Sequence, residues 1–167
     1  MFEGKNTQAA LCFLVRGSEV LLARKKAKIG AGLWNGYGGL HEPEDASLED
    51  TVVREIKEET NGLVNIDKTQ LRKIATITYH NHTEDSRRKD ILVHFYTYEW
   101  NGGKPDENES MGIPEWFPVS DIPYDEMLPT DKEWMPRAFL KGLFTEGEVY
   151  HAKDGGVEKS SFTTDQK

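Results

Sequence analysis

Residues 47–62 read SLEDTVVREIKEETNG, and this stretch decides the fold. Ser47 is followed three residues later by Asp50, a pattern typical of a helix start, and Gly62 suits the left-handed position after a helix end. A helix advances about 100° per residue, so one of its faces is apolar, formed by Leu48, Val52, Val53, Ile56 and Thr60. The pattern therefore predicts an amphipathic helix that ends near Asn61.

Three glutamates share a strip beside this apolar face. Glu55, Glu58 and Glu59 are three and four residues apart or adjacent, which brings their carboxylates together. Because like charges at this spacing repel, a bound cation would stabilise the helix. Oxygen ligands without a histidine or thiol favour Mg²⁺ or Mn²⁺ over zinc, and Arg54 can hold the Glu58 carboxylate bidentately. A solvated helix face with a chance cluster of glutamates is the alternative.

Composition restricts the partners. The 167 residues include 29 acidic and 21 basic side chains, for a formal charge of −8, which argues against a partner that is polymeric nucleic acid. A small phosphorylated ligand stays possible, because a bound divalent cation attracts phosphate. The apolar run 9–15, which contains the single cysteine Cys12, is too short to span a membrane. With no secretory signal at the start, we expect a cytoplasmic protein without a membrane partner. We also expect a monomer.

The rest of the chain has the pattern of a single domain over residues 1–153. A hairpin opens it, two further strands lie near 71–80 and 90–100, and a short strand lies at 116–119. The glycine-rich segment 30–39 predicts little regular structure. Thr130 and Glu133 form a capping box for a last helix that ends near Gly142. Residues 154–167 are polar and predict a flexible C-terminal tail.

The residues around the acidic helix closely resemble the Nudix box. That pattern has a glycine, five residues, a glutamate, seven residues, and then Arg-Glu-aliphatic-any-Glu-Glu-any-Gly-aliphatic. Residues 54–59 match its centre without a gap, and Gly38-Gly39 precede an acidic loop. Asp45 stands where glutamate is expected, and single extra residues precede Arg54 and Gly62. Within the superfamily, the similarity is greatest to MutT-type enzymes and covers roughly residues 9 to 150.

The resemblance implies an α/β fold, an α/β/α sandwich around a mixed β-sheet. By position, Glu55 and Glu59 match the principal metal-binding glutamates, and Gly39 matches a ligand through its carbonyl oxygen. Glu58 matches a further ligand or an orienting base. Glu109 best matches a more distant acid that completes many such sites, with Glu107 as the alternative. The implied catalytic group is therefore Arg54, Glu58, Glu59 and Glu109, and either Glu58 or Glu109 can serve as the general base.

The implied reaction is the Mg²⁺- or Mn²⁺-dependent hydrolysis of a purine nucleoside triphosphate such as 8-oxo-dGTP. Water attacks the β-phosphorus and releases a nucleoside monophosphate and pyrophosphate. A nucleotide sugar or a dinucleoside polyphosphate is an alternative small-molecule substrate, because the box defines only the linkage that is cut. A non-catalytic nucleotide-binding module is disfavoured by the intact glutamates. Isoprenoid diphosphate isomerisation is disfavoured because Cys12 lies in an apolar run.

Four positions match substrate-binding positions of the MutT-type relatives: Lys25, Asn35, Leu128 and Asp131. The relatives carry two adjacent aspartates after a Trp-Pro pair, where this chain has Leu128-Pro129-Thr130-Asp131. We expect Asp131 to remain ionised and to accept hydrogen bonds from a guanine-type edge, with Asn35 contacting the rest of the base. Trp34 and Tyr37 could stack on a base, although core packing is favoured for both.

Overall fold

The computed structural model describes residues 7–27, 30–82 and 87–165. Two α-helices and nine strands follow one another along these residues. In chain order they are β1 (Thr7–Arg16), β2 (Glu19–Arg24), β3 (Trp34–Asn35), β4 (Tyr37–Leu40), α1 (Leu48–Glu59), β5 (Arg72–His82), β6 (Arg88–Glu99), β7 (Glu115–Pro118), α2 (Asp131–Lys141), β8 (Phe144–His151) and β9 (Val157–Asp165). Short 3-10 helices lie at Lys68–Gln70 and Tyr124–Glu126.

The strands form one mixed sheet in the order β3-β2-β1-β6-β5-β8-β9. Strand β4 also pairs with β1, and β7 also pairs with β2. The β1–β6 and β5–β8 pairs are parallel, and the other pairs are antiparallel. The expectation of a mixed sheet is confirmed.

The sheet has an apolar core on each face, because side chains alternate between the faces along a strand. In β1, Cys12 and Leu14 belong to one core cluster and Phe13 to the other. Helix α1 contributes Val52 and Ile56 to the first cluster, together with partly buried Leu48, while α2 contributes Trp134, Met135 and Ala138 to the second. The result is the predicted α/β/α sandwich. None of the described helices is long and apolar enough to cross a membrane.

The boundaries of α1 follow from its capping residues. The Ser47 side chain accepts a hydrogen bond from the Asp50 N–H at 3.1 Å, as the sequence predicts. The helix ends at Glu59, and the backbone then turns left-handed at both Asn61 (φ 52°) and Gly62 (φ 77°). Two left-handed residues turn the chain away at once, so the helix is two residues shorter than expected.

The glycine-rich segment is more regular than its composition suggests. Residues Tyr37–Leu40 form β4, which pairs antiparallel with residues 9–12 of β1. Strand β2 pairs with β1 only from Leu14 onward, so β4 fills the remaining length of that edge. A Cβ on Gly38 would overlap the Ala10 carbonyl, so this close approach requires glycine.

The expectation of a flexible tail from residue 154 is wrong for most of that segment. Residues Val157–Asp165 form β9, which pairs antiparallel with all of β8. Backbone pairing explains why this segment forms a strand, because β8 would otherwise present unpaired N–H and C=O groups at the sheet edge. Phe162 also packs against the core and lies over Gly147, where a Cβ would overlap its ring.

The capping box expected at the start of α2 is absent. Thr130 has helical angles (φ −88°, ψ −8°) and its side chain makes no capping hydrogen bond. A capping side chain requires extended angles at that residue, so the threonine hydroxyl points away from the first turn. The helix contains Pro136 and continues through it, although a proline is expected to disturb a helix. It ends at Lys141, next to left-handed Gly142, and this end was predicted.

Candidate active site

Strand β4 lies directly against the acidic strip of α1. The Gly38 N–H donates to the Glu59 carboxylate (N···Oε1 2.8 Å). A Cβ on Gly39 would overlap the Glu55 carboxylate, so only glycine lets that side chain approach the strand. The two adjacent glycines thus bring Glu55 and Glu59 to the same short stretch of backbone. The Glu58 side chain, by contrast, is 60% exposed.

The ionised form of Glu59 is unfavourable in this cluster. The pKa of Glu59 is raised to about 7, mainly by burial and also by the charges of Glu55 and Glu58, although the Gly38 N–H and the charge of Lys25 act in the opposite direction. A carboxyl that is buried beside other carboxylates is destabilised as an anion. A cation beside these oxygens would relieve that destabilisation, and the all-oxygen donor set suits a hard divalent ion.

Within the described residues, no three acidic, histidine or cysteine side chains converge closely enough to enclose a metal ion. Glu55 and Glu59 lie one helical turn apart, and Glu58 lies beside them on α1. The three carboxylates therefore project from one side of the helix.

Arg54 orients this strip, but not through the contact that the sequence suggests. Its guanidinium binds Asp45 bidentately (Nε···Oδ1 2.9 Å, Nη2···Oδ2 2.8 Å). It also donates to Glu55 at 2.9 Å, whereas Glu58 lies 3.5 Å away in a single ion pair. The expected bidentate pair with Glu58 is therefore wrong. Asp45 is shorter than the glutamate of the family pattern, yet its side chain is only 5% exposed and reaches the guanidinium.

The Asp45 carboxylate receives several donors. The Arg54 guanidinium holds the pKa of Asp45 well below its usual range, assisted by the Glu42 N–H and the Thr51 hydroxyl. The Asp45 charge in turn raises the pKa of Arg54. Arg54 also donates to the Leu40 carbonyl at 3.0 Å, so this ion pair fastens the loop 41–46 and the end of β4 to the middle of α1.

The loop that carries Glu109 is attached to the C-terminal end of α1. The Asn108 side-chain amide donates to the Glu59 carbonyl, and its oxygen accepts from the Ser110 and Met111 N–H groups at 2.8 and 2.9 Å. Met111 forms a β-bridge with Lys25. The exposed Glu109 is therefore on a loop next to Glu59 and Lys25. Glu107, the alternative acid, forms an ion pair with Lys26 at 3.1 Å.

The residues matched to base binding lie within and beside the glycine segment. Asn35 is buried, and its side-chain oxygen accepts from the Gly36 N–H at 2.8 Å. Trp34 is also buried, with Phe117 edge-on at 5.0 Å and the Arg24 guanidinium 4.5 Å from its ring. Tyr37 is 1% exposed in the core below α1, so packing accounts for it. Lys25 and Leu128 both lie beside Gly30, where a Cβ would contact each at 3.8 Å.

Asp131, the first residue of α2, is only 4% exposed. Burial raises the pKa of its carboxyl to about 7, although a hydrogen bond from Trp134 (Nε1···Oδ1 3.2 Å) and one from the Leu128 N–H favour the charged form. The expectation that Asp131 stays ionised is therefore wrong near neutral pH, because desolvation outweighs these two donors. The carboxyl there is both protonated and ionised in comparable amounts.

Comparison with known proteins is consistent with this geometry. A family model described as the NUDIX domain matches residues 5–138. The chain belongs to the Nudix family. It is 33% identical over 135 residues to the mouse oxidized purine nucleoside triphosphate hydrolase, covering 80% of each chain, and 32% identical over 149 residues to the zebrafish protein of that name, covering 89% of each.

The fold of this Nudix chain is similar to that of a MutT protein from Bacillus halodurans, with a TM-score of 0.75 and 19% identity over 93% of this chain and 97% of that one. Sequence reasoning missed two residues that shape the site, Asn108 and Arg24. The Asn108 amide donates to a helix carbonyl that lies almost fifty residues earlier in the chain, and no local pattern marks such a contact.

Proposed function

We propose that this Nudix protein hydrolyses purine nucleoside triphosphates, including oxidised ones such as 8-oxo-dGTP, to a nucleoside monophosphate and pyrophosphate. The observation that carries the proposal is the convergence of Glu55 and Glu59 on Gly38-Gly39, with Arg54 holding Glu55. The names of the mouse and zebrafish relatives support the substrate class.

The divalent cation, which we propose to be Mg²⁺ or Mn²⁺, would be held by Glu55, Glu58 and Glu59, by the Gly39 carbonyl and by Glu109. Bound there, such a cation would neutralise the charge that develops on the phosphates and lower the pKa of an attacking water. Arg54 and Asp45 fix the position of Glu55. The charge of Lys25 acts on Glu59, which supports our assignment of Lys25 to a phosphate oxygen of the substrate. Glu58 is exposed and Glu109 lies on the adjacent loop, so each remains a candidate general base.

The proposed base pocket lies between the glycine segment and α2, with Asn35, Leu128 and Asp131 as its polar and apolar contacts. Ionised Asp131 accepts hydrogen bonds from the ring N–H and amino group of a guanine-type base. Protonated Asp131 donates one hydrogen bond, which suits the ring nitrogen acceptor of an adenine-type base. The raised pKa of Asp131 therefore supports recognition of both purine types, with the balance set by pH.

A panel of substrates tests the proposal. Pyrophosphate release would be measured with normal and oxidised purine nucleoside triphosphates, nucleotide sugars and dinucleoside polyphosphates, each with Mg²⁺, with Mn²⁺ and with a chelator. We expect turnover of the triphosphates only with a cation. Turnover confined to nucleotide sugars or dinucleoside polyphosphates would replace the substrate class, and turnover in the chelator would refute the metal mechanism.

We further propose that the protein is a cytoplasmic monomer. Cys12 is buried and free, and burial raises the pKa of its thiol, so it behaves as a core side chain rather than as a disulfide partner. Sedimentation analysis at micromolar concentration would test the monomeric state, and imaging of the tagged chain in its own cell would test the location.

A further inference from the structure

Two tyrosine hydroxyls are buried near Asp131 without a hydrogen-bond partner. Tyr79 lies in β5 and is 9% exposed, and Tyr124 begins the 3-10 helix that precedes α2. Both hydroxyl oxygens are inaccessible to solvent. Across the part of the chain that the structure describes, neither has a donor or acceptor within hydrogen-bond distance. Buried polar groups are almost always paired in native proteins, so two such hydroxyls in one place require an explanation.

The two hydroxyls and the Asp131 carboxyl occupy the same region. Tyr79 and Trp134 belong to one core cluster, and Tyr124 packs against that cluster. Trp134 donates to Asp131, which places the carboxyl at the edge of the cluster. Burial, and then the charge of Asp131, raise the pKa of Tyr79 well above its usual value and that of Tyr124 to about 12. Both hydroxyls therefore remain protonated and can donate.

The orientation of the Tyr79 ring is fixed from outside the pocket. His151 in β8 stacks on it with ring centroids 6.2 Å apart and planes 9° apart. The His151 ring nitrogen Nδ1 is in turn hydrogen-bonded to the Asn81 side-chain oxygen at 2.7 Å. These contacts pack the Tyr79 ring on the side of β8.

Three polar groups from three elements thus offer a defined pattern to a ligand. The ionised Asp131 carboxylate accepts hydrogen bonds, and the two tyrosine hydroxyls donate them. The matching ligand edge has N–H donors next to a carbonyl oxygen, which has two lone pairs. A guanine-type base has this edge, with its ring N–H and amino group beside the 6-carbonyl oxygen. An adenine-type base has an amino donor at that position instead.

We propose that Tyr79 and Tyr124 are specificity-determining residues, whose hydroxyls donate hydrogen bonds to the 6-carbonyl oxygen of a guanine-type base held by Asp131. This inference rests on the proposed hydrolysis of purine nucleoside triphosphates. In this arrangement, the Tyr79 and Tyr124 hydroxyls select the 6-carbonyl group of the base, and the Asp131 carboxylate selects its ring N–H.

The test compares two substrates that differ at this position. Guanosine triphosphate has the 6-carbonyl oxygen, and 2-aminopurine riboside triphosphate lacks both this oxygen and the ring N–H beside it. The readout is therefore the fold-change that each variant causes on each substrate, relative to wild type on the same substrate. The kcat/KM of each is measured for wild type, Tyr79→Phe, Tyr124→Phe and the double variant, and inhibition constants of the corresponding monophosphates provide a second readout. Tyr98→Phe is the control, because the Tyr98 hydroxyl accepts an exposed hydrogen bond from the Asp67 N–H beside the other core cluster.

We expect each single variant to lower kcat/KM for the guanine substrate by about three- to tenfold, the effect of one hydrogen bond, with little change for the 2-aminopurine substrate. Thermal unfolding temperatures should be unchanged or higher, since the variants remove hydroxyls that have no partner within the described protein. Equal losses for both substrates in the double variant, or no loss, would overturn the proposal. If wild type hydrolyses no purine triphosphate, the proposed function fails instead, and the two failures are distinguishable.

Discussion

Replacing Asp45 with asparagine removes one charge from the Asp45–Arg54 ion pair, which fastens the loop 41–46 and the end of β4 to α1. The Asp45 side chain is 5% exposed and accepts two hydrogen bonds from Arg54 at 2.9 and 2.8 Å. Removing one partner of a buried ion pair costs about 3–5 kcal/mol. Arg54 keeps its contacts with Glu55 and the Leu40 carbonyl, so we expect the lower end, about 3 kcal/mol.

Urea denaturation followed by circular dichroism measures this loss. With a slope of about 2 kcal/mol per molar urea, the midpoint should fall by roughly 1.5 M. The control is Glu44→Gln, which removes the same charge from an exposed side chain in the same loop and should change stability by less than about 0.5 kcal/mol. Turnover should also fall at a temperature where the variant is folded, because Arg54 would lose the bidentate contact that fixes its orientation beside Glu55.

The pH dependence gives an independent check. The folded-state pKa of Asp45 is depressed below its unfolded value of about 3.9, so its contribution to stability is present above that value and is lost as pH falls toward the folded pKa. The difference in unfolding free energy between wild type and Asp45→Asn should therefore narrow as pH is lowered from about 5 to 2. A midpoint shift no larger than that of Glu44→Gln, or a difference that stays constant in acid, would contradict this account.

Three further predictions concern the site. Glu59→Gln should lower turnover by orders of magnitude, and turnover within a few fold of wild type would reject Glu59 as a metal ligand. The unfolding temperature measured in chelator should be unchanged or higher, because burial and the neighbouring carboxylates destabilise the Glu59 anion. Gly39→Ala should reduce turnover by displacing the Glu55 carboxylate, whereas Gly38→Ala, which meets the Ala10 backbone, should also lower stability by about 1–3 kcal/mol in urea titration. The ratio of guanine-type to adenine-type kcat/KM should rise by up to roughly a hundredfold from pH 6 to pH 8, because the ratio of ionised to protonated Asp131 rises by that factor around a pKa of about 7. The ratio should become independent of pH in Asp131→Asn, and a flat wild-type ratio would exclude Asp131 as the residue that contacts the base.

Much of the framework could be predicted because its signals are local. The apolar face of α1, the Ser47 cap and the spacing of Glu55 and Glu59 all depend on residues within one or two turns of each other. The alternation of apolar residues likewise marked the first hairpin and the two central strands. Such patterns carry the period of the secondary structure, so they can be interpreted without knowing what lies across the sheet.

Contacts between distant segments were decided only by the tertiary structure. Strands β4 and β9 have weak patterns of their own, and they form because β1 and β8 each leave an unpaired edge. Arg54 binds Asp45 rather than Glu58 because the loop after β4 folds back onto α1, which brings a buried acceptor to the guanidinium. The conformation of this loop, rather than helical spacing, therefore determines that Arg54 pairs with Asp45.

Asp131 shows most clearly which properties depend on local sequence and which depend on tertiary packing. The sequence by itself determined that an acid stands at the start of the last helix, next to residues matched to base binding. Its raised pKa depends on burial among side chains from β5, the 3-10 helix and α2, which only the packed structure brings together. Desolvation is a property of everything that surrounds a group, so a linear pattern of residues cannot determine it.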